Sequence, residues 1–581
     1  MNLVAHESYL SGARGQFGIK PSGEPSVARP IVWSIAGSDS GGGAGLQADL
    51  KAFAAFGGVH GCTAVAAITA QNSVVVTHVE PVNAELLDAQ LAALAHDLPP
   101  RAIKTGLLGS VENLRVVCRW VDRLRAQGLK VALVVDPALG ATTGAGFADD
   151  AMVQAYVAEL LPRATLVTPN RGEALRLLAA AQLPAQRNEG RAVAQTSTMG
   201  MGGRWNQEWA APDVARALSQ FVGPALSVAI TGGDDSQSNG MAHDWLSSPQ
   251  ASGWLSLPRV DTTHQHGTGC TFAATAAAAL ASGYCVADAV VLAKMATTHA
   301  LRHGYAAGEG AGPVCATADF AQQVANLPAL SSRQNKADAK GEAADAATTS
   351  LKSAPTLPPA FRVLRDPALG VYAVVDSAAW VRRVLAAGIR TVQLRIKDPH
   401  EPTLEAQIRE SIAVANATPG AQLFINDHWA LALRCGAYGV HLGQEDLDTV
   451  DLNALRKAGV RLGLSTHSYW EICRAWALRP SYIACGPVFA TRSKDMPWIP
   501  QGLDNLRYWA DLLPVPVVGI AGIDARNMAE VASTGVAGAA VITAITRADD
   551  PEQSCQTLMG EFVRGQRLPR LVATQRAKPT V

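Results

Sequence analysis

The sequence predicts a two-body α/β protein: an amino-terminal domain on a largely parallel sheet, a flexible linker, and a carboxyl-terminal (β/α)8 barrel. Three observations predict it. A chain of 581 residues, 48% hydrophobic and 17% charged, can bury more than one large core. In both halves short β-like runs alternate with Ala/Leu-rich stretches of helical spacing, the pattern of parallel sheets covered by helices. Between the halves, Leu330 to Ala360 reads LSSRQNKADAKGEAADAATTSLKSAPTLPPA, almost free of large apolar residues. Such a segment cannot bury enough surface to offset its ordering entropy. The division expected is a disordered tail at 1–29, an amino domain at 30–328, a linker at 329–361 and a barrel domain at 362–570. A linker of this kind implies that the two bodies fold separately.

In the amino half the run Ile31–Ile35 comes first. Ala36-Gly37-Ser38-Asp39-Ser40-Gly41-Gly42-Gly43-Ala44-Gly45 follows, and glycines between a strand and a helix let backbone amides approach a small ligand. Alone it is a tight turn as readily as a ligand site, because it fits neither a Walker loop nor GxGxxG. Runs at Thr63–Ile68, Val131–Val135, Thr165–Val167 and Leu226–Ile230 continue the sheet. His266-Gly267-Thr268-Gly269-Cys270-Thr271, ahead of an Ala-rich helix, is more specific. Gly267, Thr268 and Gly269 free amides at a helix start to form an anion hole for a transferring phosphoryl group. Cys270 at that positive end is expected to have a lowered thiol pKa, suited to accepting a hydroxyl proton.

Read together, AGSDSGGGAGLQADLKAF, ITAQNS (Ile68 to Ser73), KTGLL, VVDPAL, TPNRGEA, GTGCT and the GAGPV ending at Val314 give residues 31–322 a resemblance to a known family. They resemble the hydroxymethylpyrimidine/phosphomethylpyrimidine kinases of the ribokinase-like α/β/α sandwich fold. The resemblance implies that Asp39 and Gln71 line a pyrimidine pocket. It also implies that Asp136, Asn170 and Glu173 organise Mg-ATP and that Cys270 is the base. Where the family usually has Lys before two glycines, this chain has Thr231-Gly232-Gly233. Two rival readings of the amino half stay open at this point: a pyridoxal-type alcohol kinase, and a pyrimidine-binding body without catalysis.

In the carboxyl half the runs are Gly370–Val375, Thr391–Leu394, Gln422–Ile425, Gly439–Leu442, Arg461–Leu464, Tyr482–Ala484, Val515–Ile520 and Ala539–Ile542. Eight βα units in about 220 residues fit a (β/α)8 barrel, whose chemistry sits at the carboxyl ends of its strands. Polar residues cluster there: Arg395 and Lys397, Asn426 and Asp427, Gln444 and Asp446, Ser465 and His467, then Gly522 and Thr543. Gln393-x-Arg395-x-Lys397 alternates, so all three side chains are expected on one face. Two adjacent cations on a neutral protein point to an anionic ligand. Asp427 and Asp446, ending separate strands, suit one Mg2+, a hard cation held by one or two carboxylates plus phosphate oxygens and water. Lys494 lies on a long loop with Pro497 and Pro500, able to close over a magnesium diphosphate.

VQLRIKD, FINDHWALA, GVHLGQEDL, GLSTH, RPSYIACGPVFATRSKD, PVVGIAGI and AVITAI make residues 369–562 similar to thiamine phosphate synthase, a TIM-barrel enzyme. That similarity implies diphosphate contacts for Gln393, Arg395, Lys397, Asn426 and Lys494, with Lys494 catalytic. It implies magnesium ligation by Asp427 and Asp446, and contact of Ser465 with the pyrimidine diphosphate. Gly522, Ile542 and Thr543 fall where the family binds the thiazole phosphate. The two resemblances meet at one intermediate, since the diphosphate made by the first half is the electrophile of the second. The implied partners are the pyrimidine alcohol and its phosphates, the thiazole phosphate and ATP, with Mg2+ as cofactor.

Charge and composition limit the alternatives. Lys plus Arg and Asp plus Glu are each 49, so no global field draws the chain to nucleic acid or anionic lipid. The nine cysteines include no CxxC pair and no dense framework, which suggests a reducing compartment. The first thirty residues hold charges and no apolar h-region. The longest uncharged stretch, Thr262 to Ala287, is too weakly apolar to span a bilayer. A soluble cytoplasmic protein is expected, and homo-oligomerisation stays open.

Overall fold

The computed structural model describes residues 28–140, 147–188, 210–233, 240–331, 358–490 and 498–580. The expected disordered tail at 1–29 lies almost wholly outside them, as does Lys494. In the amino half the order is β1 (Ile31–Asp39), α1 (Gly45–Phe56), β2 (His60–Gln71), β3 (Val76–Pro81), α2 (Ala84–Asp97), β4 (Ala102–Thr105), α3 (Val111–Ala126), β5 (Ala132–Val135), α4 (Asp150–Ala155), β6 (Leu166–Val167), α5 (Arg171–Asn188), α6 (Ala211–Val222), β7 (Ser227–Ile230), β8 (Met241–Ser247), β9 (Ser252–Pro258), α7 (Thr268–Ala281), α8 (Val286–Arg302) and β10 (Ala329–Ser331).

These strands form one sheet in the order β10-β9-β8-β7-β6-β5-β4-β1-β2-β3. The strands from β7 to β2 run parallel, and antiparallel pairs extend both edges. Helices cover both faces, so β1 is apolar on both sides. Trp33 and Ile35 pack with Leu114, Val117 and Leu177, whereas Val32 joins the opposite layer with Phe53 and Phe272. This is the α/β/α sandwich expected. The parallel core delivers the carboxyl ends of β1, β4 and β5 to the amino end of α7.

The barrel follows as β11 (Gly370–Val375), α9 (Ala378–Ala386), β12 (Thr391–Leu394), α10 (Leu404–Ala417), β13 (Gln422–Asn426), α11 (Trp429–Arg434), β14 (Gly439–Leu442), α12 (Leu452–Lys457), β15 (Arg461–Thr466), α13 (Tyr469–Ala477), β16 (Tyr482–Cys485), α14 (Gly502–Leu512), β17 (Val517–Ile520), α15 (Met528–Ser533), β18 (Gly538–Val541), α16 (Thr543–Thr546) and α17 (Pro551–Gln566). The eight strands close in sequence order, β18 pairing in parallel with β11. Alternation along β11 builds two cores: Tyr372 and Val374 fill the barrel with Phe424, Tyr482 and Val518, while Val371, Ala373 and Val375 face the helices.

Three expectations about the junction are corrected. The bodies are not separate, because one apolar cluster runs from Phe56, Phe272 and Val290 into Tyr469, Tyr508 and Trp509 of the barrel helices. Tyr284 links Phe56 to Tyr469, with ring centroids 6.3 Å from each, and Tyr508 donates a 2.6 Å hydrogen bond to the Ala321 carbonyl. The linker does not begin at 329, since Ala329–Ser331 pairs antiparallel with β9. The barrel body does not end at 570 either. Arg576 lies over the Phe56 ring and donates to the carbonyls of Phe56 and Gly57, and the Ala577 carbonyl accepts a hydrogen bond from the Tyr284 hydroxyl while its amide donates to the Tyr469 hydroxyl. Linker composition reports only the connecting chain; the apolar faces of α8 and α13 decide whether the bodies meet.

Candidate functional sites at two strand-end clusters

In the amino domain the loop after β1 folds around Asp39. Its carboxylate accepts hydrogen bonds from the amides of Gly41 (2.7 Å), Gly43 (2.9 Å) and Ala44 (2.8 Å). Burial opposes the charge, but the hydrogen bonds from His266 and from the loop amides outweigh it and hold this acid below its usual range. His266 Nε2 lies 3.1 Å from Asp39 and 2.9 Å from Gln71 Nε2, so its tautomer decides which of the two it serves. Asp39 and Gln71, predicted together, are thus joined through a residue that the sequence reading used only as a motif boundary. His266, Gly43 and Asn72 line a cleft of about 330 Å³, closed on one side by Glu309 and Pro313.

Gly267 caps α7 in the left-handed region (φ 87°), where an added Cβ would run into the Gly43 carbonyl. The two glycine loops therefore touch. At the start of α7 the Thr268 amide donates to the Gln265 carbonyl (3.4 Å) and the Thr271 amide to the Gly267 carbonyl (2.9 Å). Behind them lies a buried charge cluster that the sequence did not reveal. Lys104 Nζ donates to both oxygens of Asp49 (3.0 and 2.9 Å) and stands 3.8 Å from Asp136. Burial works against the Lys104 ammonium, but the Asp49 carboxylate outweighs it, so Lys104 is held charged. Lys104 opens the KTGLL segment and lies in the fully buried strand β4, a place a lysine occupies only when paired.

Cys270 adjoins this cluster, and the expected lowering of its pKa is corrected. Desolvation, reinforced by the Asp49 and Asp136 charges, pushes the thiol up to about 12, and Lys104 only partly opposes it. Any lowering by the helix dipole is outweighed first by burial of the sulfur and then by the two carboxylates beside it. Asn170 and Glu173 cap the start of α5 reciprocally: the Glu173 amide donates to Asn170 Oδ1 (2.9 Å), and the Asn170 amide donates to Glu173 Oε2 (3.0 Å). Glu173 also accepts from the Leu139 amide, fixing the Asp136–Leu139 turn. Thr231 forms a parallel bridge with Asn170 just beyond the carboxyl ends of β7 and β6. The nearby buried Lys294 is paired with Asp244 at 2.9 Å, and Asp244 also accepts from the Gly232 amide.

At the barrel mouth the strand β12 ends at Leu394, so Arg395 and Lys397 belong to the following loop rather than to one face with Gln393. Gln393 points inward and is buried, its Nε2 3.4 Å from the Tyr372 hydroxyl. Asn426 is buried at the end of β13, and Asp427 beside it opens to solvent with φ 59°. Partial desolvation, then the Asp446 charge, raise the Asp427 pKa, while Arg395 opposes them. Asp446 accepts from the Gly443 amide at 2.7 Å. Two carboxylates that repel each other at adjacent strand ends fit a hard divalent cation. Among the described residues no group of three or more metal-ligating side chains is placed to hold one, so such an ion would complete its shell with substrate oxygens and water.

A hydrogen-bonded chain inside the barrel was not legible in the sequence. Tyr372 and Tyr482 share a 2.8 Å contact, Tyr482 lies 2.7 Å from His441 Nδ1, and His441 Nε2 lies 2.8 Å from Ser465 Oγ. Burial, with a smaller push from Arg395, lowers the His441 pKa to about 4, so the ring is neutral. Gln444 Nε2 donates to the Ser465 carbonyl (2.8 Å), so Ser465 is held at both ends. His467 stacks on Trp498, rings 4.9 Å apart and 5° from parallel. Opposite, Gly522 has φ 70° with no room for a Cβ beside Phe489, and Ile542 caps the short α16 that starts at Thr543. Arg395, Asn426, Asp427, Asp446, Ser465, Gly522 and Thr543 thus lie at the carboxyl ends of their strands, around one mouth.

No helix among the described residues is long and apolar enough to cross a membrane. Residues 371–545 match the thiamine monophosphate synthase family, and residues 39–204 and 201–315 match the phosphomethylpyrimidine kinase family. The chain is 52% identical over 193 residues to the thiamine-phosphate synthase of Pectobacterium atrosepticum, covering 33% of this chain and 90% of that relative. Among solved structures it is similar to the pyridoxal kinase of Bacillus subtilis in an ADP complex (29% identity, TM-score 0.41, 50% of this chain and 98% of that one). It is also similar to the phosphomethylpyrimidine kinase of Clostridium difficile 630 (28% identity, TM-score 0.36, 47% and 100%).

Proposed function

We propose, for a chain that belongs to the thiamine-phosphate synthase family through its barrel and carries a phosphomethylpyrimidine kinase domain ahead of it, that both halves act in sequence in thiamine biosynthesis. The amino half phosphorylates 4-amino-5-hydroxymethyl-2-methylpyrimidine twice with ATP. The barrel then joins the diphosphate to 4-methyl-5-(2-phosphoethyl)thiazole, releasing diphosphate and thiamine phosphate. The observation that carries this reading is the pairing of a glycine-loop anion site on β1 and α7 with a cationic, two-carboxylate barrel mouth in one chain.

In the amino half the substrate ring occupies the cleft bounded by Asp39, Gln71 and His266, whose donors and acceptors match an aminopyrimidine edge. Asp136, Asn170 and Glu173 organise Mg-ATP. The amides of Gly267, Thr268 and Gly269, backed by Lys104, face the phosphoryl group in transit, and Cys270, in its thiolate form, receives the hydroxyl proton. Phosphoryl transfer passes through a loose transition state, so positioning and charge stabilisation carry most of the rate. Retention of Lys104, Asp136 and Glu173 beside Cys270 argues against a body that only binds the pyrimidine.

In the barrel Asp427 and Asp446 would hold Mg2+, which when bound offsets charge on the departing diphosphate. Arg395, Lys397, Asn426 and Lys494 bind that diphosphate, and Gln393 braces the pocket floor through Tyr372. Ser465 orients the pyrimidine. The amides at Gly522, Ile542 and Thr543 hold the thiazole phosphate. The C–O bond breaks toward an electron-rich pyrimidine methyl cation that the thiazole nitrogen captures, so little proton transfer is required and electrostatic preorganisation dominates.

Assaying each half separately tests this. Purified chain with Mg-ATP and the pyrimidine alcohol is expected to yield the monophosphate and then the diphosphate, and with supplied diphosphate and thiazole phosphate to yield thiamine phosphate. Phosphorylation of pyridoxal with the pyrimidine alcohol untouched would overturn the kinase assignment.

A further inference from the structure

The turn that carries Ser465 and His467 is held from outside the barrel. It joins β15 to α13, whose first amides need acceptors. Ser468 supplies one, accepting from the Glu471 amide, and Glu471 in return accepts from the amide and Nδ1 of His467 (2.8 and 2.7 Å). The Trp470 amide is satisfied by neither. It donates at 2.8 Å to Oδ1 of Asp288, a buried residue in the first turn of α8 in the amino domain. Burial raises the pKa of this carboxylate to about 6, opposed first by the Trp470 amide and then by the neighbouring Tyr469 amide and Ser468 side chain. An acid on one domain thus completes the cap of a helix on the other, directly behind a turn that faces the barrel mouth.

We propose that Asp288, in the kinase domain, is a positioning residue for the condensation in the barrel. By fixing the start of α13 it sets the β15–α13 turn, and through that turn the placement of Ser465 against the pyrimidine diphosphate. The same turn places His467 under Trp498, the first described residue after the segment that carries Lys494. Burying a carboxylate is costly unless it is hydrogen-bonded, and here the amide that donates to it, that of Trp470, belongs to the other domain. The carboxylate therefore ties the geometry of the barrel turn to the docking of the two halves. This rests on the reading of the barrel as the synthase.

Asp288→Ala and Asp288→Asn in the full chain test it, with steady-state kinetics of both partial reactions. Loss of a helix-capping acceptor is expected to raise the Michaelis constant for supplied pyrimidine diphosphate about tenfold in Asp288→Ala. Maximal condensation rate should change less, and phosphorylation of the pyrimidine alcohol should stay within about twofold of wild type, as expected for a distant site. Asp288→Asn keeps an oxygen acceptor and should recover most of the loss, so it decides the matter even if the alanine variant folds poorly. An unchanged Michaelis constant in Asp288→Ala would overturn the proposal. So would an Asn variant no better than Ala, or equal loss of both partial reactions. The wild-type condensation rate is the reference: its absence would count against the barrel assignment itself, a result separate from any difference between variants.

Discussion

The Nε2 atom of His441 lies 2.8 Å from the Oγ of Ser465, deep enough in the barrel that the imidazole stays neutral. Its other nitrogen is fixed by Tyr482, so the serine hydroxyl is aimed by a chain of side chains running through the barrel core. A neutral histidine in such a chain orients and does not shuttle charge. Its pKa, lowered from 6.5 to about 4 by burial, has a consequence for stability. Below pH 6.5 the unfolded chain takes up a proton that the folded chain refuses, so stability present above pH 6.5 is lost as pH falls toward 4. The loss reaches about 3 kcal/mol at most, at 1.36 kcal/mol per pKa unit. Melting temperatures of wild type and His441→Gln between pH 7 and 4.5 should show the glutamine variant with the shallower decline. Parallel curves would contradict a buried, neutral His441.

Cys270→Ala should cut phosphorylation of the pyrimidine alcohol by about 10²-fold or more, the ordinary cost of losing a general base, and leave condensation of supplied diphosphate unchanged. Because desolvation holds the thiol near 12, its thiolate fraction still grows with pH throughout the neutral and mildly alkaline range. The wild-type phosphorylation rate is therefore expected to climb from pH 7 to 9 without levelling. A plateau near pH 7, or an alanine variant within a few-fold of wild type, would shift the catalytic weight to the amides of Gly267–Gly269.

Asp427→Ala and Asp446→Ala should each raise the Mg2+ concentration needed for half-maximal condensation. Burial and then the Asp446 charge raise the Asp427 pKa, so removing Asp446 leaves Asp427 easier to ionise but without its partner carboxylate. A magnesium titration of the condensation rate reads this directly. Unshifted titrations in both variants would show that the ion is held elsewhere.

Lys494→Ala tests the loop after β16. An ammonium that strengthens its contact as the leaving group gains charge acts in the transition state, so its loss lowers the maximal rate. With thiazole phosphate and Mg2+ saturating, a drop in maximal rate is expected. An unchanged rate with only a raised Michaelis constant for the pyrimidine diphosphate would limit Lys494 to binding.

The barrel strands were legible because each is a short, predominantly apolar run closed by turn residues, and all eight predicted runs pair in the observed barrel. In the amino domain β4 escaped because Lys104 and Thr105 break its apolar run, and burial of the Lys104 ammonium is tolerable only with Asp49 and Asp136 on neighbouring elements. The β8–β9 hairpin escaped because His243, Asp244 and Ser256 make it look polar. The strand-end residues were found by their type and place, whereas His266, His441 and Lys104 required knowing which elements meet. The junction was invisible for the same reason: Asp288 and Tyr469 look like ordinary helix residues until α8 and α13 are seen in contact.

The most direct measurement follows ADP and thiamine phosphate together when the full chain receives only the pyrimidine alcohol, thiazole phosphate and Mg-ATP. Two successive phosphorylations feeding one condensation should give two ADP for each thiamine phosphate. Thiamine phosphate appearing only when pyrimidine diphosphate is added from outside would contradict a chain whose two halves work in sequence.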